Sequence, residues 1–282
     1  MILVFGKTGQ ISRELQQLGT VTALSREEAN LADPKACADA IRHHAPHAVI
    51  NAAAYTAVDQ AEEEEAVATV INGHTPRLMA KACAELCIPF VQISTDYVFE
   101  GTGQAPWRPK DQTVPQNAYG RSKLAGETGI ANSGGTYAIL RTSWVVSAHG
   151  ANFIKTMLRL SETRDALNVV GDQIGGPTPA RDIAMACLRI VGQLTQDPSK
   201  SGTYHFSGAP DVSWADFAHE IFEQAGKTVA VTPSSTTDYP TAAQRPLNSR
   251  LDCSATKRVF GIERPNWVTG LKTILEDLEV SI

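Results

Sequence analysis

An excess of positive charge is missing from this sequence, and its absence removes one large class of function. The 282-residue chain carries 25 Lys and Arg against 30 Asp and Glu, a net charge of −5. Proteins that bind polyanions concentrate basic side chains, so nucleic acid is not an expected partner. Long hydrophobic runs are missing too: no stretch approaches the ~18 apolar residues of a membrane span. The opening MILVFGKTG has no basic segment followed by a long apolar one. The expectation is no membrane partner and a cytoplasmic location. Cysteine is sparse and odd in number: Cys37, Cys83, Cys87, Cys187 and Cys253. Cys83 and Cys87 would share a helix face, but no further Cys or His joins them at zinc-ligand spacing. All five are expected to be reduced core thiols. The acidic run Glu62–Glu65 reads as a solvated helix start, where carboxylates suit the helix dipole.

What the chain does have is a regular alternation in its first half. ILVF (2–5), VTALS (21–25), HAVINAAA (47–54) and IPFVQIST (88–95) are apolar enough for strands buried on both faces. Between them lie QISRELQQLG, PKACADAIRHHA and a long helical stretch from the acidic run to Cys87. TYAILRTSWV (136–145) is a further strand. Strands each followed by a helix predict an α/β fold of the Rossmann type, a doubly wound parallel sheet. Beyond about residue 150 the pattern turns irregular: short strands LNVVG and TYHFSG, helices at 179–194 and 213–225, and a Ser-, Thr- and Pro-rich loop at 234–249. The expected organisation is a dinucleotide-binding domain at 1–150, to which about 179–207 return, and a smaller C-terminal α/β substrate-binding lobe within 151–282.

Gly6 and Gly9, in VFGKTGQIS, stand between the first strand and the first helix. A dinucleotide pyrophosphate sits at such a turn, against the free amides of a helix N-terminus; a purely structural turn is the rival reading. Gly6 permits the tight turn and Gly9 lets backbone approach phosphate, while Ser12 occupies the position of a third glycine. The second strand ends at Ser25-Arg26 without an acid to bind a ribose 2′-hydroxyl. Arg26 could meet a 2′-phosphate, so NADPH is the expected cofactor and NADH the alternative; a plain surface arginine is the competing account.

Three features fall at strand ends, where an open α/β sheet binds ligands. NAAAYTAVD (51–59) offers small side chains, STDYVFEG (94–101) offers the hydroxyls of Ser94 and Thr95, and Tyr119 precedes Lys123 by four residues. On a helix such a pair shares a face. An ammonium beside a phenol lowers its pKa towards working pH, and such a tyrosine can protonate a carbonyl oxygen as hydride reaches the carbon. Thr95 would hold that oxygen. In isolation a Tyr-x-x-x-Lys is usually surface decoration, but the ordered set is improbable by chance. Gly120, inside the same helix, costs about 1 kcal/mol relative to alanine and suggests the close approach of a ligand.

FGKTGQ, VINAAAYTAVDQAE, STDYVFEG, YGRSKLAGE, LRTSWV, GDQIGGPT and RPLNSRLD, spread over nearly the whole chain, together resemble the extended short-chain dehydrogenase/reductases. More narrowly they are similar to the dTDP-4-dehydrorhamnose reductase family. The resemblance implies reduction of the C4 keto group of a dTDP-sugar, with a nucleotide sugar as the small-molecule partner. It implies that Tyr119 is the proton donor, that Lys123 binds the nicotinamide ribose and assists Tyr119, and that Thr95 holds the keto oxygen. It places Gln10 and Ile11 at the pyrophosphate, Ala53, Ala54, Tyr55 and Thr56 along the cofactor, and Asn30 and Leu31 on its adenine side. Thr95, Asp96 and Trp144 would face the sugar nucleotide, and Arg245 and Arg250 its diphosphate. Asn30 stands where relatives often carry Asp. Some relatives are dimers bridged by a divalent ion; Glu14 matches one ligand position, but Arg181 stands where a carboxylate would be wanted. No metal is therefore expected, and the assembly is expected to be a monomer or weak homodimer. Another nucleotide-sugar epimerase or dehydratase, or a non-catalytic regulatory subunit, are the rival functions.

Overall fold

The structure is a computed structural model, and it describes residues 1–280. Strands β1 (Ile2–Phe5), β2 (Val21–Leu24), β3 (Ala48–Asn51), β4 (Phe90–Thr95), β5 (Tyr137–Thr142) and the late β10 (Gly202–His205) form one sheet in the order β10-β5-β4-β3-β1-β2. Every pairing in it is parallel. Successive side chains of a strand face opposite ways, and both faces are covered. Val4, Ile50, Val91 and Leu140 pack with Leu15 of α1 (Gln10–Leu18) and Ile183 and Ile190 of α7 (Ala180–Gln196). Leu3, Phe5, Val49, Phe90 and Ile139 pack with Ile41 of α2 (Pro34–His44) and Met79 of α4 (Thr75–Glu85). This explains the near-continuous apolar strands of the sequence. The strand order reverses between β1 and β3, which opens a crevice beyond their C-terminal ends.

The remaining elements are α3 (Glu65–Thr69), α5 (Ala118–Ala131), β6 (Val145–Val146), α6 (Phe153–Ser161), β7 (Ala166–Val170), β8 (Ile174–Gly175), β9 (Thr178–Pro179), β11 (Val212–Ser213), α8 (Trp214–Gln224), β12 (Ala230–Ser234), β13 (Asn248–Ser249), α9 (Ser254–Phe260) and α10 (Trp267–Asp277). A separate apolar cluster joins Ile154, Leu167, Phe217, Phe222, Trp267 and Leu271 of these later elements.

Several expected elements differ in extent. The third strand stops at Asn51, because Asn51 turns its side chain onto Gln92 and the amide of Ala53. The long helix after the acidic run is broken: α3 leads into a π turn at Val70–His74 before α4 begins. The wider turn directs Asn72 inward, where its amide bonds both backbone groups of Tyr55 and the hydroxyl of Ser122. Cys87 lies past the end of α4 with φ 55° and is exposed, so it neither shares a helix face with Cys83 nor belongs to the core. The acidic run is more than a solvated face. Glu62 accepts the Ala118 amide, Glu64 the Tyr55 hydroxyl, and Glu65 holds Arg121 at 2.6 Å, so the run fastens the start of α5.

Candidate active site

The glycine turn closes on two neighbours. The amides of Gly6 and Lys7 both donate to the Leu24 carbonyl, which ties the turn to the end of β2. Gly6 has φ 98°, and a Cβ there would lie 2.8 Å from the Ala53 Cβ, so only glycine lets the turn sit against the loop after β3. Gly9 caps α1 without a side chain, and its own amide is used by the Gly6 carbonyl. The amides of Gln10, Ile11 and Ser12 lie in the first turn, beyond the reach of intrahelical bonds. This cradle fits a dinucleotide pyrophosphate. The Ile11 side chain is core, so what it can offer is its amide. The Gln10 side chain instead accepts bonds from Ser147 and Asn152, tying the turn to the segment before α6.

Around the end of β2, Arg26 and Asn30 are exposed, and the Asn30 side chain accepts the Ala32 amide. The Leu31 side chain is buried in the core and its carbonyl is taken by Thr75, so what Leu31 can offer on the adenine side is its backbone amide. An acid does stand close by: two residues past Arg26, Glu28 folds back and accepts the Ser25 amide at 2.8 Å. Ala53, Ala54 and Tyr55 line the loop after β3, half-buried, with Thr56 exposed beside them.

Thr95 ends β4 and Tyr119 opens α5. The Tyr119 hydroxyl lies beside Thr95, whose own Oγ1 donates to Asp96 at 3.1 Å. The Tyr97 ring meets Tyr119 edge to face. Lys123 is buried and donates to the Ile93 carbonyl at 2.7 Å. The expected lowering of the phenol by this ammonium is not realised. Burial pushes the Tyr119 hydroxyl well above its ordinary range, against the pull of the Thr95 bond, while Lys123 is turned to Ile93. Burial also pushes Lys123 down to about 8, opposed by Glu127. Gly120 does not mark a ligand's approach: a Cβ there would collide with the Tyr97 carbonyl oxygen, so the glycine lets α5 seat against the chain's own backbone.

Just past the end of β4, Asp96 is buried, with the Ser249 hydroxyl beside its carboxylate. Trp144, half-buried, stacks on Trp214. Arg245 is gripped by Asp59 at 2.6 Å, and Asp59 also accepts the Ala243 amide, so the loop before β13 is strapped to the loop after β3. Arg250 donates to Asn248 at 3.1 Å. Glu14 is buried against α7; burial raises its pKa, while His149 and Arg181 pull it down. Among the described residues no cluster of three metal-binding side chains is gathered.

The sequence model of the RmlD substrate binding domain matches residues 1–280. A Sinorhizobium fredii dTDP-4-dehydrorhamnose reductase is 43% identical over 94% of this chain and 93% of its own length. The chain belongs to the RmlD family of dTDP-4-dehydrorhamnose reductases. The Salmonella typhimurium member is 40% identical over 98% of this chain and 97% of its own. Among solved members, the Clostridium acetobutylicum protein superposes with a TM-score of 0.92 at 36% identity, covering 99% of both chains. The Bacillus anthracis member, solved in complex with NADP, gives 0.90 at 34% identity and 98% coverage of each. The family fold accounts for the Rossmann-type sheet and the glycine turn at its switch point.

The sequence reading missed the polar framework beneath this family's site. Ser94 donates to Glu127, which pairs at 2.6 Å with Arg141, all three buried under the end of β4. Ser94 and Glu127 lie inside the quoted motifs STDYVFEG and YGRSKLAGE, and Arg141 inside LRTSWV. Asp59 and Ser249 also lie in quoted motifs. Asn72 and Trp214 had no local signal; only the fold brings them in.

Proposed function

We propose that this chain reduces the C4 keto group of dTDP-4-dehydro-β-L-rhamnose to dTDP-L-rhamnose, the last step in forming that nucleotide sugar. NADPH is the cofactor, with NADH as the alternative. The observation that carries the reading is the Thr95 and Tyr119 hydroxyl pair at the end of β4, in a chain whose near full-length relatives bear that activity in their names. Bound NADPH supplies the hydride. Thr95 turns its hydroxyl proton from Asp96 to the keto oxygen and polarises it, and Tyr119 passes its phenolic proton to the same oxygen as charge grows there. A phenol raised by burial keeps its proton in the resting enzyme, as an acid must. Lys123 then stabilises the phenolate left behind and holds the nicotinamide ribose.

Gly6, Gly9 and the amides of Gln10 and Ile11 hold the pyrophosphate, Ala53, Ala54, Tyr55 and Thr56 line the cofactor, and Asn30 serves its adenine end. Arg26 meets the 2′-phosphate. Asp96 and Trp144 face the sugar, and Arg245 and Arg250 bind the diphosphate, Arg245 by exchanging Asp59 for phosphate. The first 150 residues, joined by about 179–207, form the cofactor domain and the rest the substrate lobe of a cytoplasmic monomer or weak homodimer. The test is NADPH oxidation with a panel of 4-keto sugar nucleotides, where the dTDP-sugar should be turned over best. Tyr119→Phe should lower kcat by roughly 10²–10⁴-fold with fold and NADPH affinity intact. Consumption of NADPH with none of the panel refutes the function, and near-normal turnover by the variant removes Tyr119 from it.

A further inference from the structure

Trp144 has φ 50°, in the left-handed region, where a bulky side chain is strained. Strain of this kind persists only where surrounding structure imposes it, and it concentrates at ligand sites. Here it turns the indole against Gly175, where a Cβ would stand 2.8 Å from Trp144 Cε2 and 3.0 Å from the Ser249 Cβ. Ser249 in turn lies beside the Asp96 carboxylate, and Asp96 accepts the Thr95 hydroxyl. Trp144 therefore adjoins the Asp96–Thr95 group by way of Gly175 and Ser249. Its ring is covered by Trp214, with centroids 3.5 Å apart and planes 13° from parallel.

Trp214 is itself fixed from behind. It opens α8, its Nε1 donates to Gln173 at 3.2 Å, and Phe153 packs on it at 4.6 Å. Gln173 is held by Thr236, which donates to Asp172. Both indoles stay half-buried, unlike Phe217 and Trp267 of the cluster that Trp214 packs on, which are enclosed. A pair that served packing alone would not need the strained backbone at Trp144 or an exposed rim.

We propose that Trp214 is a positioning residue for the sugar: it backs Trp144, and the two stacked indoles form one rigid platform for the apolar C–H face of the hexose beside the reacting carbon. The inference deepens the functional reading above and rests on it. The neighbourhood of Asp96 and Ser249 puts the platform at the sugar rather than at the base.

The experiment is calorimetric titration of wild type, Trp214→Leu, Trp214→Phe and Gln173→Ala with dTDP-L-rhamnose and with dTDP, which lacks the sugar. Trp214→Leu should weaken dTDP-L-rhamnose by roughly two- to tenfold, the range of an aromatic pair, and leave dTDP unchanged. Trp214→Phe should restore most of the affinity. Gln173→Ala, which leaves the packed cluster intact, should weaken the sugar nucleotide in the same direction. Wild type should display an exciton couplet in circular dichroism from its near-parallel indoles, lost in Trp214→Leu and altered by dTDP-L-rhamnose but not by dTDP. Equal weakening of both ligands, or none in Trp214→Leu and Gln173→Ala, overturns the platform while the reductase reading stands on keto-sugar turnover. Wild type that neither turns over the keto sugar nor binds dTDP-L-rhamnose removes both.

Discussion

Replacing Asp96 by asparagine should make this protein more stable above neutral pH. The carboxylate is 3% exposed, one oxygen accepts Thr95, and Oδ2 has no partner. Burial pushes its pKa from 3.8 up to about 6, while the neighbouring Ser249 and Thr95 hydroxyls pull it back. A raised carboxyl binds more protons in the folded than in the unfolded state between those two values. Stability therefore falls as pH rises through that window, and the full cost is present above about pH 6. The rise corresponds to about 3 kcal/mol, at ~1.4 kcal/mol for each tenfold change. An amide keeps the shape and the acceptor for Thr95 but introduces a buried donor, which costs about 1 kcal/mol. The expected net gain is about 2 kcal/mol at about pH 8, turning into a net loss of about 1 kcal/mol at about pH 4, where Asp96 is protonated in the folded protein and only the amide's unpaired donor counts. Urea unfolding of both proteins, followed by circular dichroism at the two pH values, measures this. A variant no more stable than wild type at the higher pH, or a gain equal at both, refutes the reasoning. The same substitution should lower kcat/KM for the sugar nucleotide.

The buried Lys123, pushed down to about 8, loses its charge as pH rises through that value, so kcat/KM should bend downward there. Lys123→Met should lower the rate at all pH values and erase that bend in the pH profile. Gly120→Ala drives a methyl into the Tyr97 carbonyl; it should cost about 1–3 kcal/mol in thermal unfolding and lower kcat by displacing Tyr119. Arg26→Ala should reduce the ratio of kcat/KM for NADPH over NADH, and an unchanged ratio removes Arg26 from cofactor selection.

Strand and helix alternation made the sheet legible because each buried strand is apolar on both faces, as Leu3 and Val4 of β1 illustrate by packing into opposite layers. The glycine turn was legible for a local reason, since Gly6 needs its positive φ. What escaped were features set by contacts distant in sequence. Gly120 carries no mark that distinguishes a ligand's approach from that of the Tyr97 carbonyl; both demand a missing Cβ. The π turn at Val70–His74 is fixed by Asn72 finding Tyr55, seventeen residues away, so periodicity continued through it as one helix. The pKa of Tyr119 was read from its neighbour four residues on, yet burial outweighs a lysine that bonds elsewhere. Trp214 becomes visible only when α8 is laid beside Trp144.

The polar groups under the sheet's carboxyl edge divide by whether the chain supplies their partner. Ser94, Glu127 and Arg141 satisfy one another, as do Asn51 and Gln92, and these groups hold the strand ends in place. One layer further out, the Asp96 Oδ2 and Ser249 Oγ atoms lie beside each other, buried and without a well-formed hydrogen bond, Trp144 is strained, and Lys123 is held below its ordinary pKa. Each of these costs stability in the free protein. Groups left unsatisfied together beside a satisfied framework are open to a ligand's own donors and charges, which would recover part of those costs. The boundary between the two sets falls between Ser94 and Thr95, adjacent residues whose side chains leave β4 on opposite faces: one bonds the Glu127–Arg141 framework and the other turns to Asp96.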